Sequence, residues 1–507
     1  MTTSEIGILI SIIVYMVAII GIGVYYSKVN NSTEDFYLGG RKLGPFVTAM
    51  SAEASDMSSW LLMGLPGVAY LTGVCNAFWT AVGLGIGTYV NWLIVAKRLR
   101  KYSVICGDAI TVPDFFANRY RDKKVLKCVS ALMIIIFFVP YTASGFAACG
   151  KLFHSLFGVD YMVAMVISAI VIVAYTTLGG FWAASTSDFI QSIVMSVALI
   201  IVIGYGVYSV GGIDVVASNV KDLPGYINLN ATFDATTNSS SPYGIITIFS
   251  TLAWGLGYFG MPHILLRFMA IEDKNKIKLS RRIASVWVVI AMAVAIFIGV
   301  IGHTMSQVGV IDNLKDSETI IVQIANVLSS HGILFAIIAG VILAGILAST
   351  MSTSDSQLLA ASSSVTENLM DGVLGIKLSE KAKVIVARCT VIGIAIVAIF
   401  LASNPDSSVF QIVSFAWAGF GSTFGPVMLF ALFWKRSNKY GAISGMVAGG
   451  AMVFIWKFVV RPLGGAWDIY ELLPAFIVAC VFIIVISLLT KAPEQEIIDE
   501  FDSVKNA

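Results

Sequence analysis

The chain of 507 residues is predicted to be an all-α protein that crosses a membrane many times. Hydrophobic residues make up 57% of it and charged residues only 12%, a balance that a water-facing surface cannot accommodate. About 20 apolar residues cross a bilayer as a helix, and the sequence contains thirteen such runs. The longest loops between them, 97–126 and 211–241, are too short for a large soluble domain.

The predicted spans also indicate an orientation. They are residues 6–26, 46–72, 76–96, 127–152, 160–179, 189–210, 242–262, 283–303, 332–355, 385–402, 409–434, 441–460 and 470–490. Because their number is odd, the two termini lie on opposite sides. With the N-terminus outside, 25 of the 32 Lys and Arg residues fall on the inner side and four on the outer side, which agrees with the positive-inside rule. The first span lacks a basic leader and is too long for a signal-peptide core, so we expect it to be retained.

Composition argues against several classes of protein. The net charge of +2 gives no reason to expect a nucleic-acid partner. The six cysteines form no CxxC pair, so neither a disulfide framework nor a metal cluster is predicted. No GxxxxGK[ST] phosphate loop is present to couple nucleotide hydrolysis to transport. We predict no organic cofactor and no obligate protein partner; the lipid bilayer is the expected environment.

Polar residues interrupt the second span. Its sequence SAEASDMSSWLLMGLPG, Ser51 to Gly67, contains two carboxylates and several hydroxyls. Polar groups at bilayer depth normally face a cavity or the protein interior. A helix that breaks here would free backbone carbonyls, which together with hydroxyls suit a hard cation. The alternative is that these side chains only mediate helix packing.

The seventh span has a second interruption. Its sequence WGLGYFGMPHI, Trp254 to Ile264, combines three glycines and Pro262 with two aromatic residues, Trp254 and Tyr258, that are four positions apart. This pattern predicts a broken helix with an aromatic binding wall. The alternative is ordinary close packing of membrane helices.

The positions of the two interruptions predict an inverted repeat. The second and seventh spans each begin a block of five helices, about 46–210 and about 242–434. Because five is odd, the blocks enter the membrane from opposite faces, and matched broken helices in such a pair mark a transporter's central site. The helices 6–26, 441–460 and 470–490 are extra. We therefore predict one transporter domain, 1–491, followed by a short acidic cytoplasmic tail, 492–507.

The ninth span ends in a cluster of hydroxyls, ILAGILASTMSTSDSQ. The hydroxyls of Ser352 and Thr353 and the carbonyl of Ser349 can point at one spot. With the carbonyls of Ala54 and Met57 from the second span, five neutral oxygens could surround a sodium ion. The alternative is hydroxyl bonding to the preceding helical turn.

One acidic residue and the histidines allow only weaker predictions. Asp188 is expected at the start of the sixth span, where it could guide sodium, form a second ion site or simply cap the helix. The four histidines are dispersed and are expected at span boundaries.

Five motifs resemble the sodium/solute symporter family. They are LGGRKLGPF from Leu38, ASDMSSWLLMGLPG from Ala54, WGLGYFGMPHIL from Trp254, STMSTSDSQLL from Ser349 and FAWAGFGSTFGPV from Phe415. Their order and spacing match the family over nearly the whole chain. The resemblance implies a leucine-transporter-type core of two inverted five-helix repeats, with the N-terminus outside and the C-terminus inside.

The resemblance also implies roles for individual residues. The sodium ligands would come from Ala54, Met57, Ser349, Ser352 and Thr353. Asp56 would be required for sodium coupling, with Asp188 as a second candidate. The substrate site would contain Ser58, Tyr141, Trp254, Tyr258 and Pro262. Arg41 is the candidate for gating or ion access. Glu53 and Ser59 stand where glycine is expected, and Ser349 where alanine is expected.

The predicted function is secondary active transport. The family resemblance implies uptake of L-proline coupled to inward sodium movement by alternating access, in a multi-pass protein of the inner or plasma membrane. Another small amino acid, betaine or a carboxylate is the alternative substrate. A passive ion channel is the rival class, although no repeated filter motif is present. An enzyme is not predicted, because no nucleophile is paired with a base and no metal ligands cluster.

Overall fold

The structure is a computed structural model that describes residues 2–28, 33–376 and 378–506. Residues 1, 29–32, 377 and 507, which the predicted domain and tail ranges include, lie outside the described residues.

Helices dominate the described residues. They are α1 Thr3–Ser27, α2 Thr33–Leu38, α3 Pro45–Ser59, α4 Leu65–Thr72, α5 Val74–Val90, α6 Lys97–Ile105, α7 Val112–Arg119, α8 Val125–Phe157, α9 Tyr161–Ser209, α10 Ile213–Lys221, α11 Ile245–Leu252, α12 Pro262–Ala270, α13 Ile277–Gln307, α14 Ile320–Ser329, α15 Ile333–Ser363, α16 Glu380–Leu401, α17 Val409–Phe433, α18 Lys439–Ile455, α19 Leu472–Leu489 and α20 Gln495–Asn506.

Several helices continue through tighter or wider turns. The 3₁₀ segments are Gly39–Arg41, Ala253–Gly260, Lys274–Lys276, Ser317–Thr319, Arg461–Leu463 and Gly465–Trp467. The π-helical segments are Trp60–Gly64, Asn91–Ala96, Ser364–Val373 and Trp456–Val460. The π-helical segments at Trp60 and Asn91 lie in the second and third predicted spans, next to the candidate site.

The helices agree with a polytopic membrane protein. Within the described residues, ten helices are long and apolar enough to cross a membrane, and the bent pair Ile245–Gly260 and Pro262–Ala270 would be an eleventh span. Two predicted spans are not among these. The segment 46–72 is broken and carries two carboxylates, and the segment 160–179 contains only a shorter apolar helix, Tyr161–Ala174.

Breaks occur where the sequence predicts them. In α3, Ser58 has φ 37° and ψ −173°, a conformation that residues with a Cβ rarely adopt. In the seventh span the chain passes from α11 through the 3₁₀ segment to α12 with a bend of 48°. A third break, at Gly180 within α9, separates the predicted fifth and sixth spans.

Two helices form the centre of the bundle. In the most apolar stretch of α17, 83% of the residues are buried, and the corresponding value for α15 is 67%, compared with 28% for α16 and α18. Helix α15 packs against α9, α1 and α3, whereas α17 packs against the 3₁₀ segment of the seventh span. These two helices therefore bring the predicted sodium-site residues and the aromatic wall to the middle of the protein.

Two sequence-based expectations need correction, and one unpredicted helix is added. The chain is not purely helical, because β1 (Ala231–Asp234) and β2 (Ser239–Pro242) form an antiparallel hairpin in the loop before α11. The acidic tail, for which no secondary structure was predicted, forms helix α20, which packs against α6. Arg267, counted with the loop charges in the orientation analysis, lies in α12 and is buried.

Candidate functional site

Oxygen atoms from α3 and α15 meet next to the break in the second span. The Ser352 hydroxyl donates to the carbonyl of Ala54 at 2.8 Å and also lies 3.2 Å from the carbonyl of Ser349. Thr353 Oγ1 donates to the same Ser349 carbonyl at 3.1 Å. All four residues are buried. Four of the five predicted sodium-site residues thus form one connected group of neutral oxygens.

The alternative of hydroxyl bonding to the preceding turn also applies in part. The Ser349 hydroxyl donates to the Ile346 carbonyl, and Thr353 bonds four residues back within its own helix. Ser352 is the residue that reaches across to the second span. The fifth predicted residue, Met57, is buried at the break, and its carbonyl accepts the Trp60 N–H. Among the described residues, no hydrogen bond joins Met57 to the other four.

At the Ser58 break, the negative C-terminal end of one half-helix meets the positive N-terminal end of the next. Before it, α3 ends with carbonyls directed toward the oxygen group. After it, the chain resumes as helix, so a positive helix end faces the break. The Ser58 hydroxyl accepts the Trp60 N–H at 3.1 Å, which holds the strained residue in place. Such strain, of order 1–3 kcal/mol, persists only where surrounding structure enforces it.

Asp56 joins the second and seventh spans. Its carboxylate accepts a hydrogen bond from the Tyr258 hydroxyl at 2.6 Å, and its backbone carbonyl accepts one from the Tyr141 hydroxyl at 3.2 Å. The residue is 6% exposed, and the described part of the chain supplies no ion pair for it. A buried carboxylate without a cationic partner is costly, so this position favours a cation.

An aromatic cluster forms the predicted binding wall. The Trp254 ring lies 5.5 Å from Trp60, 5.5 Å from Phe410 and 5.1 Å from Tyr470, between ring centroids. Its backbone carbonyl accepts a hydrogen bond from Trp417 Nε1 at 2.8 Å. This cluster borders a cavity of about 1500 Å³ that also reaches Gly64.

The other predicted substrate residues lie close to the wall. Tyr258 packs edge-on against Trp417, and Tyr141 reaches the same break through Asp56. Pro262 begins α12 one residue after the 3₁₀ segment, where its missing N–H needs no partner. The interruption of the seventh span is therefore both a bend and an aromatic surface.

Asp188 does not cap a helix. The helix resumes after Gly180, so Asp188 lies two turns further along, and it is fully buried. Its carboxylate forms an ion pair with Arg267 at 3.0 Å and accepts the Ser51 hydroxyl at 2.7 Å. Arg267 also contacts the Ser356 hydroxyl at 2.6 Å, one helical turn from Ser352.

Arg41 is buried at the same end of the protein. Its guanidinium donates to Ser103 Oγ and to the carbonyls of Met269 and Ala109, and it pairs with Asp108 at 2.8 Å. It therefore ties the segment before α3 to α6 and to the end of α12. A role for Arg41 in gating or ion access stays a prediction.

The sequence analysis did not predict several residues of the site. Arg267 follows the bend motif and was counted as an ordinary loop charge, although its single charge within an apolar helix was a signal. Phe410 and Tyr470 lie outside the five motifs of the sequence analysis. His263 lies within the bent span formed by Ile245–Gly260 and Pro262–Ala270, buried beside Phe138, so its expected position at a span boundary is wrong.

Comparisons with known proteins agree with this architecture. Residues 36–449 match the model of the Sodium:solute symporter family. The osmoregulated proline transporter of Bacillus subtilis strain 168 is 42% identical over 493 residues, which cover 97% of this chain and 96% of the relative. A sodium/proline symporter of Haemophilus influenzae is 43% identical over 503 residues, which cover 98% of each chain.

A solved structure has a similar fold. It is the substrate-bound, outward-open state of a Na⁺-coupled sialic acid symporter, with a TM-score of 0.78 at 16% sequence identity, covering 96% of this chain and 99% of that chain. At this identity the similarity concerns the fold alone. The family model and the two relatives span most of the sequence, and they show that this chain is a multi-pass protein of the cell membrane that belongs to the sodium:solute symporter family.

Proposed function

We propose that this chain couples inward sodium movement to the uptake of L-proline by alternating access. The observation that carries the proposal is the bond from Ser352 to the Ala54 carbonyl, which joins α15 to the broken second span. Relatives more than 40% identical over nearly the full length are described as proline transporters. Because of this similarity, we propose L-proline as the substrate of this chain as well.

The sodium ion would bind among the carbonyls of Ala54, Met57 and Ser349 and the hydroxyls of Ser352 and Thr353. Neutral oxygens suit a monovalent hard cation, and the C-terminal end of α3 adds a favourable dipole. Asp56, one residue before Met57, would supply the negative charge that sodium coupling requires. Asp188 is the weaker candidate for coupling, because Arg267 already neutralises it.

The proline zwitterion would bind on the other side of the break. Its carboxylate fits the positive helix end that follows Ser58, and its ring fits the aromatic surface of Tyr141, Trp254 and Tyr258. Pro262 would shape the pocket by starting α12 after the bend. Sodium binding would order the broken helices and raise proline affinity, and thermodynamic linkage then requires proline to raise sodium affinity equally.

The full topology is part of the proposal. It consists of thirteen spans with the N-terminus outside and the C-terminus inside, built on inverted repeats at about 46–210 and 242–434 and followed by the cytoplasmic tail 492–507. The distribution of Lys and Arg supports the orientation. The matched breaks at Ser58 and at Ala253–Gly260, each in the first helix of a five-helix block, support the repeats. Arg41 would act at the cytoplasmic end, in gating or ion access.

Uptake of labelled proline into proteoliposomes tests the proposal. An inward sodium gradient should accumulate proline above equilibrium, a potassium gradient should not, and unlabelled proline should compete best. Uptake that merely equilibrates would indicate a channel. Sodium-dependent uptake that betaine or another amino acid blocks better than proline would contradict the assigned substrate while preserving the coupling.

A further inference from the structure

The third span presents a polar face to both broken helices. Thr88, Asn91 and Trp92 are spaced i, i+3 and i+4, so they share one side of the helix. All three are 1% exposed or less. The α-helix changes to a π-helical turn at Asn91, and π-helical turns in membrane and soluble helices often occur at functional positions.

Two of these residues hold the second span. Thr88 Oγ1 and Trp92 Nε1 both donate to the same carboxylate oxygen of Glu53, at 3.2 Å and 3.1 Å. Glu53 is 1% exposed and directly precedes Ala54, whose carbonyl is a predicted sodium ligand. A displacement of the Glu53 side chain and its backbone would therefore shift that carbonyl.

Glu53 faces away from the Asp188 and Arg267 pair. Successive helical residues are about 100° apart, so Glu53 and Ser51, which contacts that pair, point to nearly opposite sides of α3. The partners of Glu53 among the described residues are accordingly the two donors of the third span. Through these donors, the third span holds the part of α3 that precedes the break at Ser58.

The same face of the third span holds the seventh span. Asn91 Nδ2 donates to the backbone carbonyl of Tyr258 at 3.0 Å, within the 3₁₀ segment. The Trp92 ring packs on Phe268 of α12, with 4.4 Å between ring centroids. The backbones also touch, since a Cβ built on Gly87 would lie 2.4 Å from Gly255 Cα. The third span and the 3₁₀ segment are therefore in direct backbone contact at this point.

We propose that Thr88, Asn91 and Trp92 are positioning residues that couple the sodium site to the substrate pocket, through Glu53 on one side and the Tyr258 carbonyl on the other. The proposal rests on the proposed function. Two ligands are coupled when both of them shift the conformational equilibrium of the same structural element. The third span meets this requirement because it contacts the sodium-bearing segment and the aromatic wall through adjacent residues.

The test measures proline affinity of the purified protein at zero and at saturating sodium. Asn91→Leu removes the amide donor at similar volume, and Thr88→Val removes the hydroxyl with almost no change in shape. Each should reduce the sodium-induced gain in proline affinity, by about tenfold for Asn91→Leu. Sodium affinity without proline should stay within about twofold of wild type. Because the two links act in series, the double variant should lose no more than the stronger single variant.

Two controls separate coupling from general damage. Thr80→Val changes a buried hydroxyl on the same helix that bonds within the helix to Asn76, and it should retain the full sodium effect. Thr88→Ser keeps a hydroxyl and should restore most of the coupling. Full coupling in both Asn91→Leu and Thr88→Val, additive losses in the double variant, or an equal loss in Thr80→Val would overturn the inference alone. Wild-type protein whose proline affinity ignores sodium would overturn the proposed function, and the inference with it.

Discussion

The two ends of the candidate transport path differ in how open they are. On one side, a cavity of about 1500 Å³ reaches Trp254 and Phe410 at the centre of the protein. On the other, Arg267 is 1% exposed and fills the path with hydrogen bonds to Asp188, Ser51, Ser356 and the His263 carbonyl. We call these the cavity side and the sealed side.

The difference shows which contacts must change during transport. On the cavity side, movement of a few aromatic rings would cover a bound substrate. On the sealed side, α12, α9, α3 and α15 all contribute groups to the Arg267 network, so opening requires whole helices to separate. A protein open on both sides would leak sodium. In alternating access, each conformational state opens the central site to one side only, and the difference between the cavity side and the sealed side fits such a state.

The largest effect is expected on the sealed side, from Arg267→Leu. This change leaves the Asp188 carboxylate buried without a cation, which should lower the free energy of unfolding by about 3–5 kcal/mol. Thermal unfolding of the detergent-solubilised protein measures the loss. The double variant Arg267→Leu with Asp188→Leu removes both charges and should recover most of it. A double variant as unstable as Arg267→Leu would show that the ion pair is not the source of stability.

The next largest effect is expected on the sodium dependence of uptake, and it should differ between Asp56 and Asp188. Asp56 has no ion-pair partner among the described residues, whereas Asp188 forms an ion pair with Arg267. Asp56→Asn should raise the sodium concentration for half-maximal proline uptake roughly a hundredfold, or about 2.7 kcal/mol. Asp188→Asn should shift it less than about tenfold when rates are normalised to folded protein. Equal shifts in the two variants would contradict the assignment of Asp56.

The cavity side could be predicted from the sequence better than the sealed side. Local signals mark its features, because Gly, Pro and aromatic residues within Trp254 to Ile264 indicate both a bend and a binding surface. Both features depend on residues close together in the chain, which pattern analysis can find.

The sealed side depends on contacts that no local pattern contains. Asp188 and Arg267 are 79 residues apart, and their pairing follows from how α9 and α12 pack. The helix-cap alternative for Asp188 is excluded because the break lies earlier, at Gly180. The docking of α20 was missed for a similar reason. Phe501 contacts the guanidinium groups of Arg98 and Arg119, which belong to other helices.

A moderate effect is expected on the cavity side, from Trp254→Ala. The ring is lost, but the backbone carbonyl of residue 254 still accepts the Trp417 hydrogen bond, so the 3₁₀ segment should keep its shape. The KM for proline should rise about tenfold, or about 1.4 kcal/mol, while sodium binding without proline changes little. Trp467→Ala, at a residue that is 52% exposed, is the matched control and should leave both unchanged. Loss of sodium binding as well would make Trp254 a structural residue.

The smallest effect is expected at the edge of the sealed side, from Lys435→Met. Lys435 and Asp502 of α20 are 3.6 Å apart, and their side chains are 59% and 44% exposed. Solvent screens such a pair, so its loss should change the free energy of unfolding by less than about 1 kcal/mol, and 1 M salt should abolish the difference. Thermal unfolding at low and high salt, with Arg267→Leu measured alongside, makes the comparison. If Lys435→Met destabilised the protein as much as Arg267→Leu, the closure of this side would depend on its exposed rim. In that case the buried network around Arg267 would not be the main barrier that opens during transport.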